Sequence, residues 1–102
     1  IREVTEPGFL LEQNYPNPVT GQTKIAYQLY SPGKVVVSVL NLLGKEVKIL
    51  VSQQMPQGKQ EVVWDGRDDS GARLNIGIYF CRLEVITERG SIVKMKKMML
   101  MH

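Results

Sequence analysis

The chain has 102 residues, of which 43% are hydrophobic, a proportion ordinary for a single globular domain. Its formal net charge at pH 7 is +3, and most of its basic residues are scattered among acidic ones, which argues against a nucleic-acid partner. No apolar run approaches the roughly 20 residues that cross a bilayer, so we predict no membrane insertion.

The first residues of the chain predict a linker and then an edge strand. Residues 1–8 end in Pro-Gly and are expected to be the last part of a linker from a larger upstream protein. Residues 9–13 form a short apolar strand, which the Asn-Tyr-Pro-Asn-Pro block at 14–18 stops. Each proline lacks a backbone donor and has a fixed φ, so this block is expected at a sheet edge or at a crossing between sheets.

Alternation of apolar and polar residues predicts the following strands, each with one buried face. The inward rows of the second and third strands are Thr23, Ile25, Tyr27 and Leu29, then Val35, Val37 and Val39. A tight turn at 41–44, in which Gly44 would permit a positive φ if the turn needs one, leads to a fourth strand at 45–51. The apolar residues of that strand do not keep one parity.

The remaining strands complete the predicted fold. The fifth places Val62 and Trp64 on one face, and the sixth, at 78–85, does the same for Tyr79, Cys81, Leu83 and Val85. Seven short strands at spacings of about ten residues, with polar turns between them, predict an all-β fold, a seven-stranded immunoglobulin-like antiparallel β-sandwich.

The seventh strand, at 91–101, changes its apolar phase. Val93 and Met95 are odd-numbered, whereas Met98 and Leu100 are even-numbered. We predict a bulge near Lys96 and Lys97, because one extra residue would bring all four apolar side chains to the same face.

Three aspartates after the fifth strand are candidate calcium ligands, since calcium takes carboxylate oxygens from such loops. Their spacing does not match the helix-loop-helix calcium pattern. The alternative is that Asp65, Asp68 and Asp69 accept hydrogen bonds from the backbone of their own turn. We favour this alternative and predict neither a metal site nor a cofactor.

No catalytic constellation is evident. Cys81 needs a neighbouring base to act as a nucleophile, and the single histidine is the terminal His102, so we predict a buried, inert thiol. The domain itself is therefore predicted not to be an enzyme. Trp64 has the parity of a core residue, whereas Tyr30 and Phe80, together with Tyr15, are candidates for stacking on carbohydrate.

Lys94, Lys96 and Lys97 interrupt the otherwise apolar last strand and have two interpretations. Lysines on an edge strand prevent it from pairing with other chains. Alternatively, a receptor reads the strand as an address, using backbone pairing for affinity and charge for selectivity. The residues alone leave both interpretations open.

Several blocks occur together in the order of a known family. They are Phe9-Leu10-Leu11-Glu12-Gln13-Asn14-Tyr15-Pro16-Asn17-Pro18, Thr23-Lys24-Ile25-Ala26-Tyr27, Leu43-Gly44-Lys45-Glu46-Val47, Trp64-Asp65-Gly66, Gly77-Ile78-Tyr79 and Lys97-Met98-Met99-Leu100. Over residues 9–102 the chain resembles the type A C-terminal sorting domain of the type IX (Por) secretion system. The Trp-Asp-Gly and Gly-x-Tyr blocks are also similar to the immunoglobulin-like part of flagellar hook-capping proteins.

The resemblance implies an export module. Such a domain follows an enzyme or adhesin, here expected to be a polysaccharide hydrolase or a peptidase, and directs it through the outer-membrane secretion machinery to the cell surface or the medium. By position, Lys97, Met98, Met99 and Leu100 would be engaged by that machinery, and we add Lys94 and Lys96 as candidate recognition residues. The alternative function is an accessory module that binds carbohydrate or packs on the parent's catalytic domain.

Two departures from the family pattern stand beside the resemblance. Val19 and Thr20 follow the proline block where the family usually continues with Phe and Asn, and the chain ends on His102 rather than on the more basic residue that is common there. The first suggests a slightly altered edge crossing.

Overall fold

Two antiparallel sheets pack face to face in the computed structural model, which describes residues 8–101. The strands are β1 (Phe9–Leu11), β2 (Thr23–Leu29), β3 (Gly33–Leu40), β4 (Glu46–Met55), β5 (Gly58–Trp64), β6 (Gly77–Thr87) and β7 (Gly90–Leu100). One sheet has the order β1-β2-β5 and the other has the order β4-β3-β6-β7. The prediction of an all-β, immunoglobulin-like sandwich is confirmed.

The core lies between the sheets and consists of the rows predicted from parity. Val62, Val47 and Leu50 are partly buried against it. The buried apolar residues are Phe9, Leu11, Val19, Ile25, Tyr27, Leu29, Val35, Val37, Val39, Trp64, Tyr79, Cys81, Leu83, Val85, Met98 and Leu100. The inward rows predicted for β2, β3 and β6 are therefore confirmed.

Two register shifts explain why β4 keeps no parity. The pairing of β3 with β4 shifts after Val37 and again after Val39, and these shifts leave Leu50 and Val47 without a paired residue on β3. Each extra residue in a bulge reverses the alternation of the side chains that follow. Val47 and Leu50 can therefore both pack against the core although one is odd-numbered and the other even-numbered.

The bulge predicted in the last strand is wrong. β6 and β7 pair without a shift from the Thr87–Gly90 pair to the Gly77–Leu100 pair, so alternation along β7 is uninterrupted. Even-numbered Met98 faces the core, whereas Val93 and Met95 face solvent with exposed fractions of 42% and 50%.

The predicted bulge would have turned Lys94 outward, whereas in the structure Lys94 lies on the core side of β7. Its Nζ lies 5.1 Å from the centre of the Phe9 ring and donates to the Phe9 carbonyl oxygen at 3.0 Å. A lysine at the margin of a sheet can lay its aliphatic stem on apolar surface while its ammonium group reaches a polar partner. No bulge is needed to turn this residue outward.

Most residues at the two chain termini lie outside the described range of 8–101. Of the predicted linker at 1–8, Gly8 alone is among the described residues, and its carbonyl oxygen accepts from Tyr30 N at 2.7 Å. His102 is likewise outside them.

Replacing a core leucine should unfold the domain far more readily than replacing a surface leucine. Leu83→Ala, at a fully buried position, is expected to lower the free energy of unfolding by about 2–5 kcal/mol, because it removes apolar contacts and leaves a cavity. Leu43→Ala, at a position 92% exposed, is the matched control and should change it by no more than about 0.5 kcal/mol. Urea denaturation measures both, and equal effects would contradict this placement of the core.

Candidate functional site

Residues 13–19, which we call the proline segment, pair with the end of the last strand. Val19 N donates to the Met99 carbonyl at 2.7 Å, and Met101 N donates to the Val19 carbonyl at 2.8 Å, which forms a parallel bridge between Val19 and Leu100. Both bridged side chains are buried. The segment therefore acts as a short extra strand on the outer edge of β7.

Side chains of the proline segment extend this coverage. Gln13 Nε2 donates to the Lys97 carbonyl at 2.7 Å, and Asn17 Oδ1 accepts from Met99 N at 2.9 Å. Because the backbone groups of alternate residues point to opposite sides of a strand, the odd-numbered residues of β7 face this outer edge. The edge is thus covered from the Lys97 carbonyl to Met101 N.

A buried polar network fixes the shape of the proline segment. Asn14 Nδ2 donates to Thr23 Oγ1 at 3.0 Å and to the Pro16 carbonyl at 3.1 Å, and Thr23 Oγ1 donates to the same carbonyl at 2.9 Å. Asn14 and Thr23 are both buried. Buried polar groups need such partners, so the network ties the segment to the start of β2.

The Trp-Asp-Gly block meets the end of β7 from the other side. Gly66 has a φ of 79°, and a Cβ at this position would lie 3.2 Å from a methyl group of Leu100. Trp64 Nε1 donates to the Arg67 carbonyl at 3.0 Å, and its ring packs edge-on against Tyr79 with 5.9 Å between the ring centres. Glycine at this position permits both the positive φ and the close approach.

Met98 and Leu100, two of the predicted recognition residues, are core residues. Each is at most 1% exposed, so neither side chain is available to a partner while the domain is folded. Their burial follows from even parity on an unbroken strand.

The surface of the end of β7 instead presents Lys96, Lys97 and Met99. Neither lysine has a carboxylate within ion-pair distance among residues 8–101. Lys97 lies opposite Phe80 in the β6–β7 pair, and Met99 lies opposite Ile78. The structure therefore brings three of the six predicted residues to the surface and binds Lys94 to β1.

Asp68 holds its own turn together. Its Oδ1 accepts from Ser70 Oγ at 2.7 Å and from the backbone N–H groups of Ser70 and Ala72, each at 2.9 Å. These donors, the Ser70 hydroxyl first, lower the pKa of Asp68 below its ordinary value. A carboxylate with this set of donors has the role of a turn former.

Asp65 also accepts from its own turn, whereas Asp69 accepts from β4. Asp65 Oδ1 accepts from Arg67 N at 3.2 Å, and Asp69 Oδ1 accepts from Ile49 N at 3.2 Å with Lys48 Nζ at 3.8 Å. No group of three or more histidine, cysteine, aspartate or glutamate side chains that could hold a metal ion occurs within residues 8–101. Asp65 and Asp68 thus make the contacts that the turn interpretation predicts, and Asp69 joins the turn to β4.

The remaining candidates do not converge either. Tyr30 lies in the turn before β3, near Gly33, whereas Phe80 pairs with Leu40 at the far end of that strand, so the two rings do not form one stacking platform.

None of the described residues belongs to a helix that could cross a membrane.

Cys81 is expected to be unreactive in the folded domain. Burial raises the pKa of its thiol to about 12, so the nucleophilic thiolate is scarce near neutral pH. Ellman's reagent at pH 8 should label Cys81, the single cysteine of the chain, only after denaturant is added. Rapid labelling of the native domain would show that the thiol is accessible.

The hydrogen bond from Met99 to Asn17 can be tested without touching the core. Asn17→Ala should lower the free energy of unfolding by about 0.5–1.5 kcal/mol and speed amide hydrogen exchange at Met99, because that N–H loses its acceptor. Asn75→Ala, at another exposed asparagine, is the control. Unchanged exchange at Met99 would argue against the contact.

Sequence patterns did not reveal the roles of Gln13, Asn17 and Val19. The one available signal was the proline block itself, which predicted an edge or a crossing without indicating which edge it covers. Val19 is one of the two positions that depart from the sorting-domain pattern, and it nevertheless fills the buried bridge position.

Comparisons with known proteins show the same fold in other proteins. PorU of Porphyromonas gingivalis, solved as a latent dimer, superposes with a TM-score of 0.78 at 20% identity, over 98% of this chain and 10% of PorU. PorZ, an essential surface component of the type IX secretion system of the same bacterium, gives 0.54 at 20% identity, over 88% of this chain and 11% of PorZ. At such identities the likeness shows the fold alone.

The hook-capping relationship is supported in addition by sequence. FlgD of P. aeruginosa superposes with a TM-score of 0.63 at 21% identity, over 76% of this chain and 61% of FlgD. A search of curated protein sequences finds no match. The family model of the FlgD Ig-like domain matches residues 14–89, which is well over half of the chain. The chain therefore belongs to the FlgD Ig-like domain family.

Proposed function

We propose that this domain is a non-catalytic C-terminal sorting and cell-surface attachment domain, which directs an upstream secreted protein across the outer membrane. The observation that carries the proposal is the pairing of the proline segment with the end of β7. The proline block and the closing Lys-Met-Met-Leu block are both among those through which the sequence resembles type IX sorting domains. The fold likeness to PorU and PorZ supports the same assignment.

The pairing also explains how a sorting signal at the end of the chain would be presented. The last residues of β7 are held between β6, the proline segment and Gly66, so they have a fixed conformation only when the whole domain is folded. A receptor that reads this surface thereby distinguishes a folded domain from an unfolded one.

The organisation of the parent protein follows from this proposal. Residues 1–8 are a linker, residues 9–102 are the sorting domain, and an upstream catalytic domain in the same chain is the cargo. The partner is the outer-membrane secretion machinery, and the destination is the cell surface or the medium. Lys96, Lys97 and Met99 are the surface residues offered for recognition, with Met98 and Leu100 supporting them from the core.

Export of a reporter tests the proposal. A reporter fused ahead of the domain should reach the surface of a bacterium that has a type IX system, and deletion of residues 91–102 should retain it in the periplasm. Because this deletion also removes core residues, the sharper variant is Lys96→Glu with Lys97→Glu, at two exposed positions. We expect it to reduce surface display at least about tenfold, since it reverses the charge that the receptor reads.

The matched control is Lys24→Glu with Lys59→Glu, at two exposed lysines of the other sheet. It makes the same change in net charge and should leave display unchanged. Normal display of both double variants, together with normal display after the deletion, would refute the sorting function.

A further inference from the structure

We propose that the part of the β7 edge left open by the proline segment binds an extended, acidic segment of a partner protein as an added strand. This inference deepens the sorting function proposed above and rests on it for the context in which the partner is met. The open edge is defined here as the outward backbone groups of Ser91, Val93 and Met95, followed by the N–H of Lys97.

Strand parity identifies these groups. The contacts of the proline segment show that the odd-numbered residues of β7 point their backbone away from β6, and the pairing with β6 runs without a shift back to Gly90. The N–H and C=O groups of Ser91, Val93 and Met95 consequently point to the same outer side. Within residues 8–101 no hydrogen-bond partner faces them.

The open edge has the length and the surroundings of a strand-addition site. Residues 91–97 are seven positions long, which lies within the usual strand length of about 3–10 residues. Val93 and Met95 stand exposed on the outer face of the sheet, and Ile92 is exposed on the opposite side. Paired strands are stabilised by side chains opposite one another, so an added strand would find apolar neighbours on both faces.

The charge at the edge selects the kind of strand. Lys94 is bound to a carbonyl oxygen and an aromatic ring, and Lys96 and Lys97 have no carboxylate within ion-pair distance in the described part of the chain. The carboxylate of nearby Glu84 is already 3.4 Å from Arg82. Lys96 and Lys97 therefore lie at the edge without a counter-charge, one on each face of the sheet, and acidic side chains on an added strand would supply it.

The same charges argue against a second copy of this chain as the occupant. Pairing two β7 edges would bring six lysines together, and like charges on adjacent strands destabilise the pair. The two interpretations of these lysines are therefore compatible. The lysines discourage self-association of the domain and also favour binding of an acidic partner.

Binding of synthetic peptides to the whole chain provides the test. The probe is a fluorescent peptide of about eight residues that alternates valine with glutamate, and its counterpart alternates valine with lysine. Fluorescence anisotropy should detect binding of the glutamate peptide alone, and hydrogen exchange should show new protection at the amides of Ser91, Val93 and Met95. Failure of the glutamate peptide to bind would overturn the inference.

Val93→Pro tests the backbone contribution. It removes an outward N–H without removing a bond to β6, and it should weaken binding of the glutamate peptide at least about tenfold. The matched control is Val63→Pro on β5, an edge strand of the other sheet, because Val63 is 45% exposed compared with 42% for Val93. Equal weakening by both variants would contradict binding at β7.

Charge reversal provides a variant that does not depend on tolerance of proline. Lys96→Glu with Lys97→Glu should lose the glutamate peptide and gain the lysine peptide, whereas retention of the original preference would overturn the inference. If the unmodified chain sediments as a dimer and the Val93→Pro variant as a monomer, the occupant of the edge is a second copy of the chain. That result would also overturn the inference.

The export assay separates this inference from the sorting function. Peptide binding at the β7 edge combined with normal export of the Val93→Pro and charge-reversed fusions would support strand addition and refute sorting through it. Export that depends on Lys96 and Lys97 without binding of the glutamate peptide would leave sorting intact and refute strand addition.

Discussion

The backbone pairing of Val19 with the end of β7 is the contact on which this end of the domain depends. It joins residues far apart in the sequence, and it satisfies the outward groups of Met99 and Met101, which would otherwise form an open edge. It also places Val19 beside Leu100, so both side chains are removed from water. The proline segment and the Trp-Asp-Gly turn both contact the end of β7 at this closure.

Closure at Leu100 also explains why glycine is needed at Gly66. The methyl groups of Leu100 fill the space that a side chain at Gly66 would take, and the backbone there has a positive φ. Trp64 then turns inward to Tyr79, and its indole N–H finds a carbonyl oxygen in the adjoining loop. The Trp-Asp-Gly block, which adjoins the candidate calcium ligands, thus packs against the end of the last strand.

The buried face of a strand was predictable where the periodicity of its apolar residues alone decides it. β2 and the central part of β6 alternate without interruption, so a one-residue error in facing would expose their whole inward row. β3 keeps its inward valines, although Ser38 between two of them is also buried. β4 was not predictable in this way, because its two shifts are properties of its pairing with β3 and leave only a lack of parity in the sequence. In β7 the misleading residue was Lys94, since a lysine on the core side contradicts a simple apolar pattern unless its stem reaches the margin of the sheet.

The candidate site was less predictable than the fold, because its decisive contacts are not local. Gln13 and Lys97 are 84 positions apart, and Asn17 and Met99 are 82 apart, so no spacing in the sequence announces either bond. What the sequence did indicate was the composition of the edge, an apolar strand carrying three lysines. The structure shows where this composition matters: beyond Lys97 the edge is closed by the chain itself, and before it the outward backbone meets no other described residue.

The division of the β7 edge into a closed and an open half gives Lys96 and Lys97 two roles, attraction of a partner and protection from self-association. On the closed half of the edge, hydrogen bonds to the proline segment already prevent pairing with other chains, and the side chains there are free to serve packing. On the open half, only the charges of the lysines and the solvation of the backbone oppose such pairing. A neutral residue at Lys96 or Lys97 would therefore weaken attraction for an acidic partner and protection from self-association together, so the two properties cannot be optimised independently at these positions.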